Sequence, residues 1–328
     1  INCSDEAYSV CGAEIAAEAT EVFDRSDMII KVKEPQAIER KMLKPDQILF
    51  TYLHLAPDLA QTRNLVDSGA ICVAYETVTD DAGTLPLLAP MSEVAGRMSI
   101  QEAAVCLEKS KLGSGVLLGG VPGVEPANVV IIGGGVVGLN AARMAMGLGA
   151  NVTILDRSIT RLKQIDELYE GRIKTLFSTT DTIESQLRTA DSVIGAVLVP
   201  GAAAPKLVTR QMLSLMKKGS VLVDVAIDQG GCFETTHPTT HQDPTYIIDD
   251  VLHYSVANMP GAVPATSTEA LTNATIKQGL DLANKGWKNA CKEDESLKLG
   301  LNVINGKVVY KAIADAFNLK YSSLNELF

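Results

Sequence analysis

A chain of 328 residues is longer than one hydrophobic core usually supports, so two domains are expected. Hydrophobic residues at 46% and charged residues at 21% are the mix of a soluble globular protein. A formal net charge of −10, with no run of Lys or Arg, argues against a nucleic-acid partner. It does not argue against a phosphate-bearing cofactor, which helix N-termini hold without net basicity.

Three short apolar runs open the chain, Met28–Val32, Ile48–Leu55 and Ala70–Tyr75. Each is of strand length and bounded by polar or turn residues, and helix-like stretches such as Pro57–Ser68 lie between them. This β-α-β rhythm predicts a parallel sheet. Ser92–Lys111 reads as one long helix, capped by Ser92 and with Glu93 in its first turn. A glycine-rich passage, Gly113–Gly123, and then Val124-Glu125-Pro126 read as a hinge.

From Asn128 the rhythm resumes. Strands are predicted at Val129–Ile132, Val152–Leu155, Ile173–Leu176, Ser192–Val197, Val221–Ala226 and Leu252–Val256, the strand count of a complete doubly wound dinucleotide domain. Ser267–Lys288 reads as a second long helix, similar in length to the first. Paired helices suit the entry and exit of an inserted domain. The expected architecture is therefore α/β: a doubly wound parallel-sheet (Rossmann) domain, residues 91–264, inserted into a second α/β Rossmann-like catalytic domain made of residues 1–90 and 265–328.

No stretch reaches the roughly 18 uninterrupted apolar residues of a membrane helix, so no membrane partner is expected. Cys3, Cys11, Cys72, Cys106, Cys232 and Cys291 form no CxxC pair, and no His stands at metal-ligand spacing from them. They read as free thiols in a reducing, cytoplasmic compartment, with no metal site.

Gly133-Gly134-Gly135-Val136-Val137-Gly138 satisfies G-x-G-x-x-G. Alone this is a weak signal. Here it follows the strand Val129–Ile132 and precedes a helical stretch, and Asp156 ends the next strand 23 residues beyond Gly133. The expected spacing is roughly 20. Gly133 permits the tight turn, Gly135 the close approach of a pyrophosphate, and Gly138 close packing of helix on strand. Asp156 suits the adenosine ribose hydroxyls and repels a 2′-phosphate, a preference for NAD that the neighbouring Arg157 blurs. A structural glycine turn with an ordinary strand-end acid is the plain alternative.

Other residues have the right chemistry and leave alternatives open. His54 ends an apolar strand, where parallel sheets build sites, and histidine as a type titrates near neutrality; a packed or surface histidine is the alternative. His237, His241 and His253 lie in or near a Thr/Pro-rich loop and read as surface residues. Asp228 lies just beyond Val221–Ala226 at the carboxyl end of a parallel strand, where open α/β sheets place ligands; a turn or helix-capping Asp is the alternative. Lys31 and Lys33 share a face by strand alternation, and either could meet an anion; a surface residue salt-bridged to Glu34 is the alternative for Lys33.

Further motifs carry a resemblance. Lys31-Val-Lys33-Glu-Pro35, Thr51-Tyr-Leu-His54-Leu, Leu88-Ala-Pro-Met-Ser92-Glu-Val-Ala-Gly96-Arg97, Gly119-Gly-Val-Pro-Gly-Val-Glu-Pro126, Asp228-Gln-Gly-Gly-Cys232, Val256-Ala-Asn258-Met-Pro-Gly261 and Thr266-Ser-Thr268 resemble alanine dehydrogenase. The family oxidises L-alanine with NAD⁺ and water to pyruvate, ammonia and NADH, reversibly. The resemblance implies that Lys33 binds the substrate carboxylate and that His54 and Asp228 are the catalytic pair. It implies NAD contacts from Ser92, Asp156, Arg161, Ser178, Val197, Leu198, the Val225, Ala226, Ile227 and Asp228 run, and Val256, Ala257, Asn258 and Met259, beside Gly133, Gly135, Val136, Val137 and Gly138. It implies a homo-hexamer.

Ala265 stands where many members carry Lys or Arg. Members also begin with a segment whose Arg, in an Arg-Val-Ala-like motif, holds the carboxylate. That motif is not in this sequence, so the chain as written is expected to bind NADH but to deaminate alanine poorly. Two competing functions are the nucleotide-binding component of a transhydrogenase, which exchanges hydride between nucleotides, and a catalytically weak NAD-binding fragment.

Overall fold

The computed structural model describes residues 1, 3–197 and 204–328. They form two compact units. The first comprises Ile1–Pro90 and Pro264–Phe328, and the second the described residues between them.

In the first unit, β1 (Met28–Ile30), β2 (Ile48–Thr51) and β3 (Ile71–Ala74) run parallel. β11 (Leu301–Ile304) pairs antiparallel with β3, and β12 (Lys307–Val308) antiparallel with β11. The sheet order is β1-β2-β3-β11-β12, so the sheet is mixed rather than all parallel, and β1 lies at an edge. The apolar runs give β2 and β3 wholly buried side chains, as strands covered on both faces require. Phe23, Leu49, Leu53, Leu65, Cys72 and Val303 share one core cluster.

All three predicted strands here end early. The first stops at Ile30 rather than Val32, because the chain bends after Lys31. The second stops at Thr51 rather than Leu55, because the amides of Leu53 and His54 leave the ladder for the Glu76 carboxylate. The third ends at Ala74, where Tyr75–Thr77 tightens into a 3₁₀ turn. The second long helix spans Pro264–Glu293, longer at both ends than Ser267–Lys288, with non-helical backbone at Gly286 (φ 69°, ψ 159°).

The second unit holds a seven-stranded sheet of β4 (Asn128–Ile132), β5 (Asn151–Asp156), β6 (Lys174–Phe177), β7 (Ser192–Gly195), β8 (Val221–Asp224), β9 (Thr245–Ile248) and β10 (Val251–Tyr254). Its order is β6-β5-β4-β7-β8-β10-β9. Six strands are parallel in the doubly wound order, and β9 adds an antiparallel edge that the sequence pattern did not reveal. The order reverses between β4 and β7, and that is where such sheets bind ligands.

Three expectations are corrected in this unit. The helix runs Ala89–Cys106, with Lys109–Lys111 a separate 3₁₀ turn. Ser92 is therefore inside the helix and does not cap it. The Leu85 carbonyl starts the turn and Pro90 fits the first helical turn, where no amide donor is needed. Val121 and Val124 bridge each other across a tight turn where a hinge was expected. His253 is not a surface residue: it is fully buried in β10, with its two ring nitrogens on Val251 O (2.9 Å) and Thr235 Oγ1 (2.8 Å). Among the described residues no helix is long and apolar enough to cross a membrane.

Candidate active site

In the first unit Lys33 and His54 follow the carboxyl ends of the neighbouring parallel strands β1 and β2. Thr51 Oγ1 donates to the Lys33 carbonyl at 3.1 Å and ties the two strand ends together. The two lysines that alternation left equivalent have different partners. Lys31 is held in a half-buried ion pair by Glu39. Burial by itself raises the Glu39 carboxyl, but the Lys31 ammonium and the Gln36 amide bring it below its ordinary value, so the pair is charged. Among the described residues Lys33 pairs only with Glu34, at 3.6 Å, and it is more exposed. It is the lysine with donors to spare for a carboxylate.

His54 is half-buried, and its backbone is left-handed at φ 48°. That conformation is unusual for a residue with a Cβ and needs fixing from outside. Glu76 fixes it. Its carboxylate accepts the His54 amide at 2.6 Å and the Leu53 amide at 3.0 and 3.2 Å. The Gln61 amide nitrogen holds the Leu53 carbonyl from the other side. The imidazole lies near-parallel to the Tyr52 ring, with centroids 5.8 Å apart. Burial, then the Glu76 charge, pushes the Tyr52 phenol well above its ordinary value, so it remains a donor, bonded to Leu87 O at 2.7 Å.

Glu76 escaped the sequence reading. The available signal was its place just beyond β3, the same strand-end position that singled out His54. Glu76→Ala leaves two amides without their charged acceptor and is expected to destabilise the fold by about 2 to 4 kcal/mol. Glu76→Gln keeps one acceptor oxygen and should lose much less. Urea unfolding of the two variants checks this, and equal midpoints would refute the role.

In the second unit the expected residues gather at the carboxyl edge of the sheet. Gly133 leaves β4 at φ 107°, and a Cβ there would stand 2.5 Å from Ala196 O beyond β7, so the loop sits at the point where strand order reverses. Gly135 stands at the N-cap of the helix Val136–Gly147 and has no side chain to satisfy the first helical amides. A Cβ on Gly135 would meet no atom within 4 Å. The loop thus offers open space in front of unfilled backbone donors, which fits an anionic pyrophosphate. Gly138 is different: a Cβ would lie 1.8 Å from the Gly133 carbonyl.

Asp156, at the end of β5, accepts the Gly134 amide at 2.7 Å through one oxygen and the Ser158 amide at 2.7 Å through the other. Arg161 Nε donates to Gly134 O at 2.5 Å, and the Ser178 amide to Asp156 O at 2.9 Å. Arg157 is exposed. The half-buried Val197 follows β7, while Leu198 lies outside the described residues. Val225, Ala226, Ile227 and Asp228 form a 3₁₀ turn, Val225–Gln229, directly after β8. Asp228 is exposed, and its carboxylate accepts the Asn258 amide at 3.4 Å. Asn258 is left-handed at φ 58°, and its carbonyl faces His241 Nε2 at 3.2 Å. Val256–Met259 thus meets the Asp228 turn from the end of β10. Half-buried Ser92 lies in the helix Ala89–Cys106.

Asp224, the last residue of β8, was also missed. Its buried carboxylate accepts from Ala226 N, Cys232 N, Phe233 N, Thr236 Oγ1 and Cys232 Sγ. Burial pushes this carboxyl up, against the donors that hold it down. Among the described residues no group of three or more His, Cys, Asp or Glu side chains is placed to hold a metal.

Two family models match the chain: the alanine dehydrogenase/PNT N-terminal domain over residues 1–95 and the alanine dehydrogenase/PNT C-terminal domain over residues 99–311. The chain belongs to the alanine dehydrogenase/PNT family. It is 60% identical to an alanine dehydrogenase of Halomonas elongata, across 97% of this chain and 86% of that protein. It is 55% identical to one of Methanococcus maripaludis, across 98% of this chain and 88% of that protein. Among solved structures, an L-alanine dehydrogenase superposes with a TM-score of 0.89 at 48% identity, across 96% of this chain and 87% of that one. A transhydrogenase of Sinorhizobium meliloti, 23% identical, superposes with a TM-score of 0.75 across 95% of this chain and 87% of that one, a likeness of fold within the alanine dehydrogenase/PNT architecture.

Proposed function

We propose that this chain oxidises L-alanine with NAD⁺ and water to pyruvate and ammonia, and runs the reverse reductive amination. The observation that carries this reading is the 60% identity to an alanine dehydrogenase along 97% of the chain. The strand-end residues described above have the chemistry the reaction needs.

Bound NAD⁺ supplies the hydride acceptor. Gly133, Gly135 and the first amides of the helix Val136–Gly147, those of Val136, Val137 and Gly138, hold its pyrophosphate. Asp156 accepts the adenosine ribose hydroxyls, with Arg161 and Ser178 bordering it. Val197, Val225, Ala226, Ile227 and Val256 to Met259 serve the nicotinamide half. Ser92 and Leu198 are assigned to the cofactor by resemblance alone.

Lys33 pairs its ammonium with the substrate carboxylate. His54 moves protons on and off the reacting nitrogen and oxygen, from a backbone held rigidly by Glu76. Asp228 stabilises the iminium and carbinolamine stages with its negative charge and orients water. Acid–base groups of this kind contribute about 10²- to 10⁴-fold each.

The test is NADH formation by the purified chain from L-alanine, with NAD⁺ and NADP⁺ compared. The expected result is alanine-dependent reduction of NAD⁺ and weak use of NADP⁺, with Asp156→Ser relaxing that preference by removing carboxylate–phosphate repulsion. Hydride exchange between nucleotides without any alanine-dependent reduction would overturn the proposal. Equal affinity of the unaltered protein for both nucleotides would remove Asp156 as the discriminator.

A further inference from the structure

The turn that presents Asp228 continues into Gly230 and Gly231, both left-handed, at φ 86° and 75°. Two consecutive glycines carry little intrinsic stiffness, so the position of Asp228 depends on what grips the segment from outside. Its two ends are gripped differently. On the inner side, buried Asp224 collects the amides of Ala226, Cys232 and Phe233. The fit there is tight: a Cβ on Gly231 would stand 2.6 Å from Asp224 Oδ2.

On the outer side the carbonyls are gathered by one cation. Lys206 Nζ donates to Gly230 O at 2.5 Å, Gly231 O at 2.9 Å and Phe233 O at 3.1 Å. An ammonium has three donors, and here all three are engaged by main-chain oxygens of a single short loop. Among the described residues Lys206 makes no ion pair. This is unlike the ordinary role of an exposed lysine, which stays solvated or pairs with a surface acid.

We propose that Lys206 is a positioning residue for the reaction: its ammonium locks the Gly230–Phe233 carbonyls and thereby sets the Asp228 carboxylate where it acts. The assignment rests on the catalytic reading of Asp228 above. The loop is held as a two-sided clamp, with a buried carboxylate on its amides and an ammonium on its carbonyls. Asp228 projects from the turn between Asp224 and the gripped glycines.

The consequence is kinetic. Among the described residues Lys206 has no hydrogen bond to the Gly133–Gly138 loop or to Asp156, so its loss reaches the nucleotide only through Asp228 and the Asn258 amide that Asp228 holds. A carboxylate displaced by as little as about 1 Å costs up to about 100-fold in the chemical step. The experiment compares Lys206→Met, Lys206→Arg, Asp228→Asn and Lys206→Met/Asp228→Asn. Each is assayed for kcat and KM in alanine-dependent NADH formation, NADH affinity by fluorescence, and thermal midpoint.

Lys206→Met is expected to lose about 10- to 100-fold in kcat. NADH affinity should fall no further than in Asp228→Ala, and the thermal midpoint should stay close to that of the unaltered chain. Lys206→Arg, which keeps a charged donor, should recover part of the loss. The double variant should be no slower than Asp228→Asn, because a carboxylate that is gone cannot be misplaced. Losses that multiply in the double variant, or a Lys206→Met enzyme with normal kcat beside a crippled Asp228→Asn, would overturn the assignment of Lys206 alone. Normal turnover by Asp228→Asn would instead remove the catalytic reading of Asp228, and the clamp's role would fall with it.

Discussion

His54→Ala and Asp228→Ala are each expected to lower alanine-dependent NADH formation by about 10²- to 10⁴-fold, the usual contribution of a general acid–base group. The two losses should differ in what accompanies them. His54 sits in the first unit, after β2, and the cofactor loop belongs to β4 and β5 of the second. His54→Ala should therefore bind NADH with unchanged affinity. It also trades a side chain at φ 48° for one with no better tolerance of that conformation, while Glu76 still holds the amide, so stability should change little.

Asp228 is bonded to the Asn258 amide, and its turn follows β8 among the cofactor-edge residues. Asp228→Ala should therefore weaken NADH binding as well as turnover, by freeing the Val256–Met259 segment. Stopped-flow mixing with NADH, followed by steady-state assay, separates the two quantities. Near-normal turnover in either variant would take that residue out of the mechanism.

The second large effect concerns the glycine loop. Gly138→Ala is expected to cripple both folding and cofactor binding, whereas Gly135→Ala is expected to damage cofactor binding alone. The reason is geometric. At Gly138 an added Cβ meets the Gly133 carbonyl at 1.8 Å, and that atom is backbone with no side chain to swing aside. The helix Val136–Gly147 must retreat from β4, at a cost of about 1 to 3 kcal/mol in overpacking. Its first amides retreat with it.

At Gly135 the same methyl meets nothing within 4 Å, so the protein tolerates it. The space it enters is the space in front of the helix N-terminus. Gly147→Ala, at an open position of the same helix, is the control and should stabilise by about 0.5 to 1 kcal/mol. NADH titration and denaturant unfolding of the three variants check this. A Gly135→Ala chain that binds NADH normally would show that the open space is not the pyrophosphate cradle.

Some of this was readable without coordinates. The strand, the G-x-G-x-x-G turn, the helix and Asp156 follow one another within a single β-α-β unit, and such short-range order follows from residue spacing alone. The Gly134–Asp156 hydrogen bond is where that spacing leads. The inner parallel strands β4, β7, β8 and β10 were visible as apolar runs because both their faces are buried. The antiparallel strands were not. β9 is half-exposed at an edge, β11 is interrupted by Asn302, and β12 has two residues, so none carries a continuous apolar signature.

The candidate site divides in the same way. His54, Asp228 and Lys33 are legible as reactive side-chain types at strand ends. Only the resemblance preferred Lys33 over Lys31 in the sequence, and the Glu39 pair that engages Lys31 is one that only folding creates. Glu76, Asp224 and Lys206 act on main-chain amides and carbonyls that any residue type supplies, so no pairing of side chains betrays them in sequence. Their partners lie 2 to 27 positions away along the chain, and only the fold brings the more distant ones within reach. What the sequence by itself determined is which groups can react. What the tertiary structure decided is how rigidly they are held, because backbone polar groups are chemically alike everywhere and only three-dimensional proximity distinguishes the ones a charge will grip.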